Sequence, residues 1–252
     1  MTNISSSYPN HYPIIRKLES IAVLSEEEKQ AILCLPLRIS KLGPDQDIVR
    51  DGDRASECCV IIDGFACRYK LLHNGRRQIM SFHIPGDIPD LQSLHLKVMD
   101  HSLGTLTPST VGFVPHESVR ELIKQCPAIG DLFWRDTMID AAVFREWMVG
   151  MGRRSARARV AHLLCEILTR LKAVGLADEH RCELPIIQAE LGDALGLSTV
   201  HVNRSLQELR GDGLITLRDH LLTIEDWDGL KNAGEFDPAY LHLDAEHEET
   251  AA

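Results

Sequence analysis

The chain has 252 residues, 44% of them apolar and 25% charged, with a formal net charge of −10. That length and balance suit one large or two medium globular domains and exclude collagen-like, disulfide-scaffold and wholly disordered classes. No run of 18 apolar residues suggests a membrane span, and Met1–Ser7 has neither the basic nor the apolar region of a signal peptide. The seven cysteines, at 34, 58, 59, 67, 126, 165 and 182, are odd in number and form no Cys-x-x-Cys, so reduced thiols in a cytoplasm are expected. The acidity is uneven. From Glu225 onward the chain carries −8, and the 224 residues before it carry −2. Global charge therefore does not veto nucleic-acid binding, which depends on a local surface.

Ser25 followed by Glu28 has capping-box spacing and predicts a helix start. Over residues 15–125, short apolar runs such as Cys58–Ile62, Phe65–Tyr69 and Gln78–Phe82 alternate with Asp51-Gly52, Asp63-Gly64, Asn74-Gly75 and Pro85-Gly86-Asp87. Turn signals at roughly ten-residue spacing predict a small antiparallel barrel or sandwich. In that pattern one of Cys58 and Cys59 faces the core and the other points away.

Residues 117–174 read as helices. One opens at Pro127 and runs to about Gly150, with Gly150-Met151-Gly152 as its stop. Thirteen of the 22 residues from Ile129 to Gly150 are apolar, more than one amphipathic stripe requires. Such a helix buries two faces, and a symmetric dimer through the second face is the economical arrangement. The plainer alternative is a central helix buried within one chain. Arg153, Arg154, Arg157 and Arg159 then form a basic run at the start of the next helix, a pattern that is usually a solvated face. Gly150-x-Gly152 follows a helix and lacks a third glycine, so it is no dinucleotide fingerprint.

Residues 184–222 carry the strongest signal. Ile186–Leu195 has helical apolar spacing, Gly196-Leu197-Ser198 breaks it, and Thr199–Arg210 resumes it with Val202, Leu206 and Leu209 inward. This is the helix-turn-helix pattern. Gly192 lies where the two helices must approach closely. Gly211-Asp212-Gly213 ends the second helix, and Leu214–Leu217 and His220–Ile224 are expected to pair around Arg218-Asp219 as a wing. On the outer face, Thr199, Val200, Asn203, Arg204 and Gln207 share one side. Arg204 suits guanine N7 and O6, Asn203 suits adenine, and Thr199 and Val200 suit a thymine methyl. Ser198 and the free amides beside it suit a phosphate. The alternative is a helical hairpin whose Arg and Asn are merely exposed.

With these residues in place, the chain resembles the CRP/FNR family of bacterial transcription regulators over about residues 15–235. In the sensor part the resemblance rests on Asp63-Gly64, Asn74-Gly75-Arg76-Arg77-Gln78-Ile79 and Pro85-Gly86-Asp87; in the recognition helix it rests on Gly196–Arg204. It implies an α+β protein: a jelly-roll β-barrel sensor domain of cyclic-nucleotide-binding type (1–125), a dimerisation helix (126–152), a winged helix-turn-helix domain (153–232) and an acidic tail (233–252). It implies that Arg204 is the base-reading arginine and that Gln188, Ser198, His201 and Arg218 touch phosphate or flank the site. Val200 stands where many members have glutamate, Thr199 where some have arginine, and Ser205 where an apolar residue is usual. The implied partners are double-stranded DNA, a second copy of the chain and RNA polymerase, with no membrane and a cytoplasmic location.

The sensor departs from that pattern. Pro89-Asp90 replaces the family's Gly-Glu, and Asp100-His101-Ser102 stands where its phosphate-binding arginine should be. Pro89, Asp90, Asp100, His101 and Ser102 are the candidate effector pocket, but a carboxylate there repels a cyclic phosphate, which argues against cAMP or cGMP. No cysteine precedes Cys34, which argues against an iron–sulfur cluster. Haem or metal through His83, His95, His101 or His116 and redox sensing by cysteine stay open beside an unidentified small molecule. A sensor acting through protein partners without DNA is the rival from another class. No catalytic motif supports an enzyme.

Overall fold

The computed structural model describes residues 12–244; the signal-peptide reading at Met1–Ser7 and the end of the acidic tail lie outside them. The chain forms two compact units, one of residues 12–70 and 82–138 and one of residues 71–81 and 139–244.

The first unit begins with α1 (Tyr12–Glu19) and α2 (Glu26–Leu33). Ser25 caps α2 as its spacing predicts: its Oγ accepts from Glu28 N–H, and the Glu28 carboxylate accepts from Ser25 N–H at 2.7 Å. Seven strands follow in chain order, residues 77–81 of β5 belonging to the second unit: β1 (Arg38–Leu42), β2 (Asp47–Val49), β3 (Glu57–Asp63), β4 (Ala66–Leu71), β5 (Arg77–His83), β6 (Ser102–Thr105) and β7 (Ser109–Pro115). They form two antiparallel sheets, ordered β1-β7-β3 and β2-β6-β4-β5. Cys59 and Ile61 of β3, Ala66 of β4, Leu103 of β6 and Val111 of β7 make one apolar cluster, so the two sheets share a core. This is the expected β-roll.

Cys58 and Cys59 are both buried, which corrects the expectation that only one is. Strand alternation does place them on opposite faces, but β3 is covered on both. One face looks into the roll. Over the other lie α1 and a 3-10 turn at Leu91–Leu94.

Helix α3 (His116–Gln125) leads to α4 (Pro127–Arg153), 27 residues long. α4 does not stop at Gly150-Met151-Gly152. The amide of Arg154 still bonds to Gly150 O, and the break comes at Ser155, whose extended backbone caps the next helix. Two glycines cost a helix only about 1 kcal/mol each, too little to end one that is packed. α4 is apolar on two sides. Ile129, Leu132, Phe133, Ile139, Ala142, Val143 and Trp147 are buried, while Trp134, Met138, Phe144, Met148 and Met151 are exposed.

The second unit holds α5 (Ala156–Ala173), β8 (Arg181–Glu183), α6 (Gln188–Leu195), α7 (Thr199–Gly211), β9 (Ile215–Arg218), β10 (Leu221–Ile224) and α8 (Trp227–Gly234). β9 and β10 pair as a wing, and β8 adds a third strand that the sequence pattern does not announce, in the order β8-β10-β9. The wing turns at Asp219-His220, not Arg218-Asp219. Arg218 pairs with Leu221, and the two residues between them have φ of +50° and +63°. A two-residue loop with positive φ at both positions matches the twist of the strands it joins. Beyond α8, Phe236 and Leu241 are buried against α5, so the acidic segment folds at least to residue 241.

Candidate nucleic-acid interface and sensor pocket

The helix-turn-helix is built from α6 and α7. Leu191, Ala194 and Leu195 of α6 and Val202, Leu206 and Leu209 of α7 are buried. Gly196 supplies the left-handed C-cap of α6 at φ +63°. A Cβ on Gly192 would stand 2.7 Å from Leu197 O, so the turn folds back where only glycine fits. Ser198 caps α7: its Oγ accepts from His201 N–H at 3.3 Å and lies 2.8 Å from His201 Nδ1.

The structure brings most of the expected face together. Ser198, Thr199, Val200, His201, Arg204 and Gln207 are all exposed on α7 or its cap, and Arg218 is exposed at the end of β9. Val200 is 76% exposed. Asn203 differs. It is half-buried, and its Nδ2 donates to Gln188 Oε1 at 3.2 Å, tying α7 to the first turn of α6. One amide donor of Asn203 is therefore engaged inside the fold. Arg204 is held by its own helix: its Nε lies 3.0 Å from Glu208 Oε1.

Of the basic run at 153–159, Arg153 is exposed but the other three arginines are held within the fold. Arg154 Nη2 donates to Glu146 at 2.5 Å, Arg157 pairs with Asp212 at 2.5 Å, and Arg159 Nη1 donates to Leu195 O at 2.6 Å. Arg159 thereby caps the C-terminus of α6, where a cation is favourable, although partial burial lowers its pKa. In the same unit Arg77 pairs with Asp193 at 2.9 Å and Gln78 donates to Ala194 O. Behind the motif, Glu166 on α5 is fully buried and accepts from Trp147 Nε1 at 3.0 Å and Tyr240 Oη at 2.7 Å. Burial holds its pKa above the usual carboxylate range.

In the first unit the five sensor candidates divide by environment. Pro89 and Asp90 are buried, and Asp90 Oδ1 accepts from Cys59 N–H at 2.8 Å. Burial pushes the Asp90 carboxyl up to about 7, against the pull of that amide. Arg68 donates to Pro89 O from Nε at 2.9 Å. Asp100 is exposed beside His101, 2.6 Å away, and Ser102 Oγ accepts from Asp51 N–H. Gln92 Nε2 lies 3.4 Å from His101 Nε2. His83 contacts Asp87 and His116 contacts Ser93, and among the described residues no three metal-ligating side chains gather.

Comparison with known proteins places both units. Residues 39–126 match the cyclic nucleotide-binding domain, and residues 158–233 match the Crp-like helix-turn-helix domain. The chain belongs to the CRP/FNR family. It is a DNA-binding transcription regulator of that type. The transcriptional activator protein FnrL of Cereibacter sphaeroides is 26% identical over 198 residues, covering 75% of this chain and 78% of FnrL. The nitrogen fixation regulation protein FixK of Rhizobium meliloti is 25% identical, covering 73% and 81% of the two chains. The solved structure of FixK2 from Bradyrhizobium japonicum superposes with a TM-score of 0.72 at 26% identity, covering 79% of this chain and 98% of that one.

Within this CRP/FNR chain, two features of the site escape the sequence reading. The pairing of Glu208 with Arg204 was available as i,i+4 spacing. The internal duty of Arg154, Arg157 and Arg159 was not, because their partners lie from 8 to 81 residues away.

Proposed function

We propose that this CRP/FNR regulator acts as a homodimer that reads an inverted-repeat operator. The partition would be a sensor over 1–125, a dimerisation helix over 126–152, a winged helix-turn-helix over 153–232 and an acidic tail over 233–252. The exposed apolar side of α4, with Trp134, Met138, Phe144, Met148 and Met151, is the surface a second copy would cover. Two α7 helices would then enter successive major grooves about 34 Å apart.

The observation that carries this reading is the outer face of α7: Arg204 projects from it 76% exposed, in line with Val200 and Gln207 and behind a serine-capped N-terminus. Arg204 takes guanine, and Val200 with Thr199 takes a thymine methyl. Ser198, His201, Gln188 and Arg218 contact or flank phosphates. Asn203 acts with Gln188 as a hydrogen-bonded pair. RNA polymerase is the further partner, and the cytoplasm is the setting that reduced cysteines suit.

The effector is a small molecule other than cAMP or cGMP, sensed around Pro89, Asp90, Asp100, His101 and Ser102. Residues at those positions do not suit a cyclic phosphate. Asp90 is committed to the Cys59 amide, and the exposed Asp100 carboxylate would repel the anion.

Operator selection from random duplexes tests the reading. Wild type should enrich a palindrome with one guanine per half-site and show a steep salt slope. Arg204→Ala should lose that guanine and cost about 1–3 kcal/mol per half-site. Recovery of the same sequence at the same affinity by Arg204→Ala would overturn it.

A further inference from the structure

Glu208 sits in the last turn of α7, where a carboxylate opposes the helix dipole. It follows Arg204 by four residues, the less favourable order for a helical ion pair. Its side chain is 41% exposed on the side of the helix that carries Arg204, so it would also face the negative charge of a duplex. Helix stability, helix electrostatics and non-specific DNA affinity all disfavour an acid at this position. The pair geometry is what remains to account for it: Oε1 of Glu208 receives Nε of Arg204 at 3.0 Å and leaves both terminal nitrogens of the guanidinium uncommitted to that carboxylate.

On the reading that Arg204 contacts a base, we propose that Glu208 is a positioning residue that fixes which edge of the Arg204 guanidinium meets the duplex, and so sets discrimination at one guanine. A guanidinium has five donors and can approach guanine O6 and N7 either through its two terminal nitrogens or through Nε and one of them. With Nε held by Glu208, only the end-on approach is left. The same carboxylate opposes the alternative in which the arginine swings to a phosphate, because that move would leave Glu208 unpaired beside the backbone anions. The device lowers affinity for every duplex and lowers it least for the one with guanine in register.

The test uses full-length protein and three duplexes: the operator enriched by wild type, the same operator with the guanine pair replaced by an adenine pair, and random sequence. Binding is followed by fluorescence anisotropy across a salt series. For Glu208→Gln and Glu208→Ala, the ratio of guanine to adenine affinity should fall about three- to tenfold. Binding to random duplex should tighten, with the log–log salt slope steeper by about one because one opposing charge is gone. In an Arg204→Ala background the Glu208 substitutions should leave the ratio unchanged. A merely structural role for Glu208 would weaken all three duplexes together and lower the melting temperature without moving the ratio, and that result would overturn the proposal. So would an unchanged ratio with unchanged random-duplex binding. If Arg204→Ala abolishes the guanine preference while both Glu208 variants keep it, the positioning role fails and the base-reading role of Arg204 stands. If Arg204→Ala changes nothing, both fail.

Discussion

Replacing Asp90 with asparagine should make the protein more stable at pH 8 and leave it close to wild type at acidic pH. The carboxyl is 2% exposed, and its Oδ1 accepts from Cys59 N–H. Burial raises its pKa from 3.8 to about 7. An acid with a raised folded pKa contributes stability that is fully present below its unfolded pKa and is lost as pH rises through the folded one. The whole shift corresponds to about 4 kcal/mol at 1.36 kcal/mol per unit, and the portion between pH 5 and pH 8 is about 2–3 kcal/mol. Asparagine cannot ionise, keeps a carbonyl oxygen for the Cys59 amide, and carries N–H where the neutral acid carries O–H. Urea unfolding of both proteins at pH 5 and pH 8 isolates the effect, because every other titrating group cancels in the difference. Asp90→Asn should gain about 2–3 kcal/mol on wild type between the two conditions. A difference that is the same at both pH values, or a variant less stable at pH 8, would refute the argument that burial outweighs the amide bond and the nearby Arg68.

Two further substitutions test the packing behind the DNA-facing helix. Gly192→Ala sets a Cβ 2.7 Å from a backbone carbonyl and should destabilise by about 1–3 kcal/mol, whereas Gly211→Ala meets nothing within 4 Å and should hold or raise the melting temperature; equal melting temperatures for the two would sink the close-approach reading of the turn. Tyr240→Phe removes one of the donors to the buried Glu166 carboxylate and should cost about 1–3 kcal/mol. Since burial already raises the Glu166 pKa, that cost should grow as pH climbs above the carboxylate range, which thermal melts at pH 5 and pH 8 would show.

Local chemistry made much of the fold legible. Asp-Gly and Asn-Gly pairs mark turns because few other residues adopt positive φ, so the strand rhythm of the first unit could be read directly. The helix-turn-helix was legible for a similar reason: two apolar stripes of helical period flank Gly196, and Gly192 has room for no side chain. What failed was reading where burial depends on elements distant in sequence. One of Cys58 and Cys59 looked like a surface position because alternation says nothing about α1 or the 3-10 turn folding over the outer face of β3. Gly150 and Gly152 looked like a stop because their intrinsic cost is visible in sequence, while the packing of α4 that outweighs it is not. β8 is three residues long, too short to show a period, and exists because Leu221–Thr223 offer it an edge.

The arginines show how composition misleads about a binding surface. Four of them in seven residues look like a solvated basic face, yet three are held by Glu146, Asp212 and the C-terminal carbonyl of α6. Arg154 holds the junction before α5 to Glu146 of α4, Arg157 fastens α5 to Asp212 at the end of α7, and Arg159 fastens it to the end of α6. Near the motif Arg204 and Arg210 on α7 and Arg218 on the wing are exposed, as are Arg153 and Arg181 in the same unit, and Arg204 itself carries a carboxylate partner. Each phosphate neutralised contributes about 0.9 to the salt slope, so that slope counts how many of these exposed arginines reach the backbone. On the proposed reading, an α7 face with a serine cap, an exposed valine and an arginine paired to Glu208 would draw its selectivity from base edges.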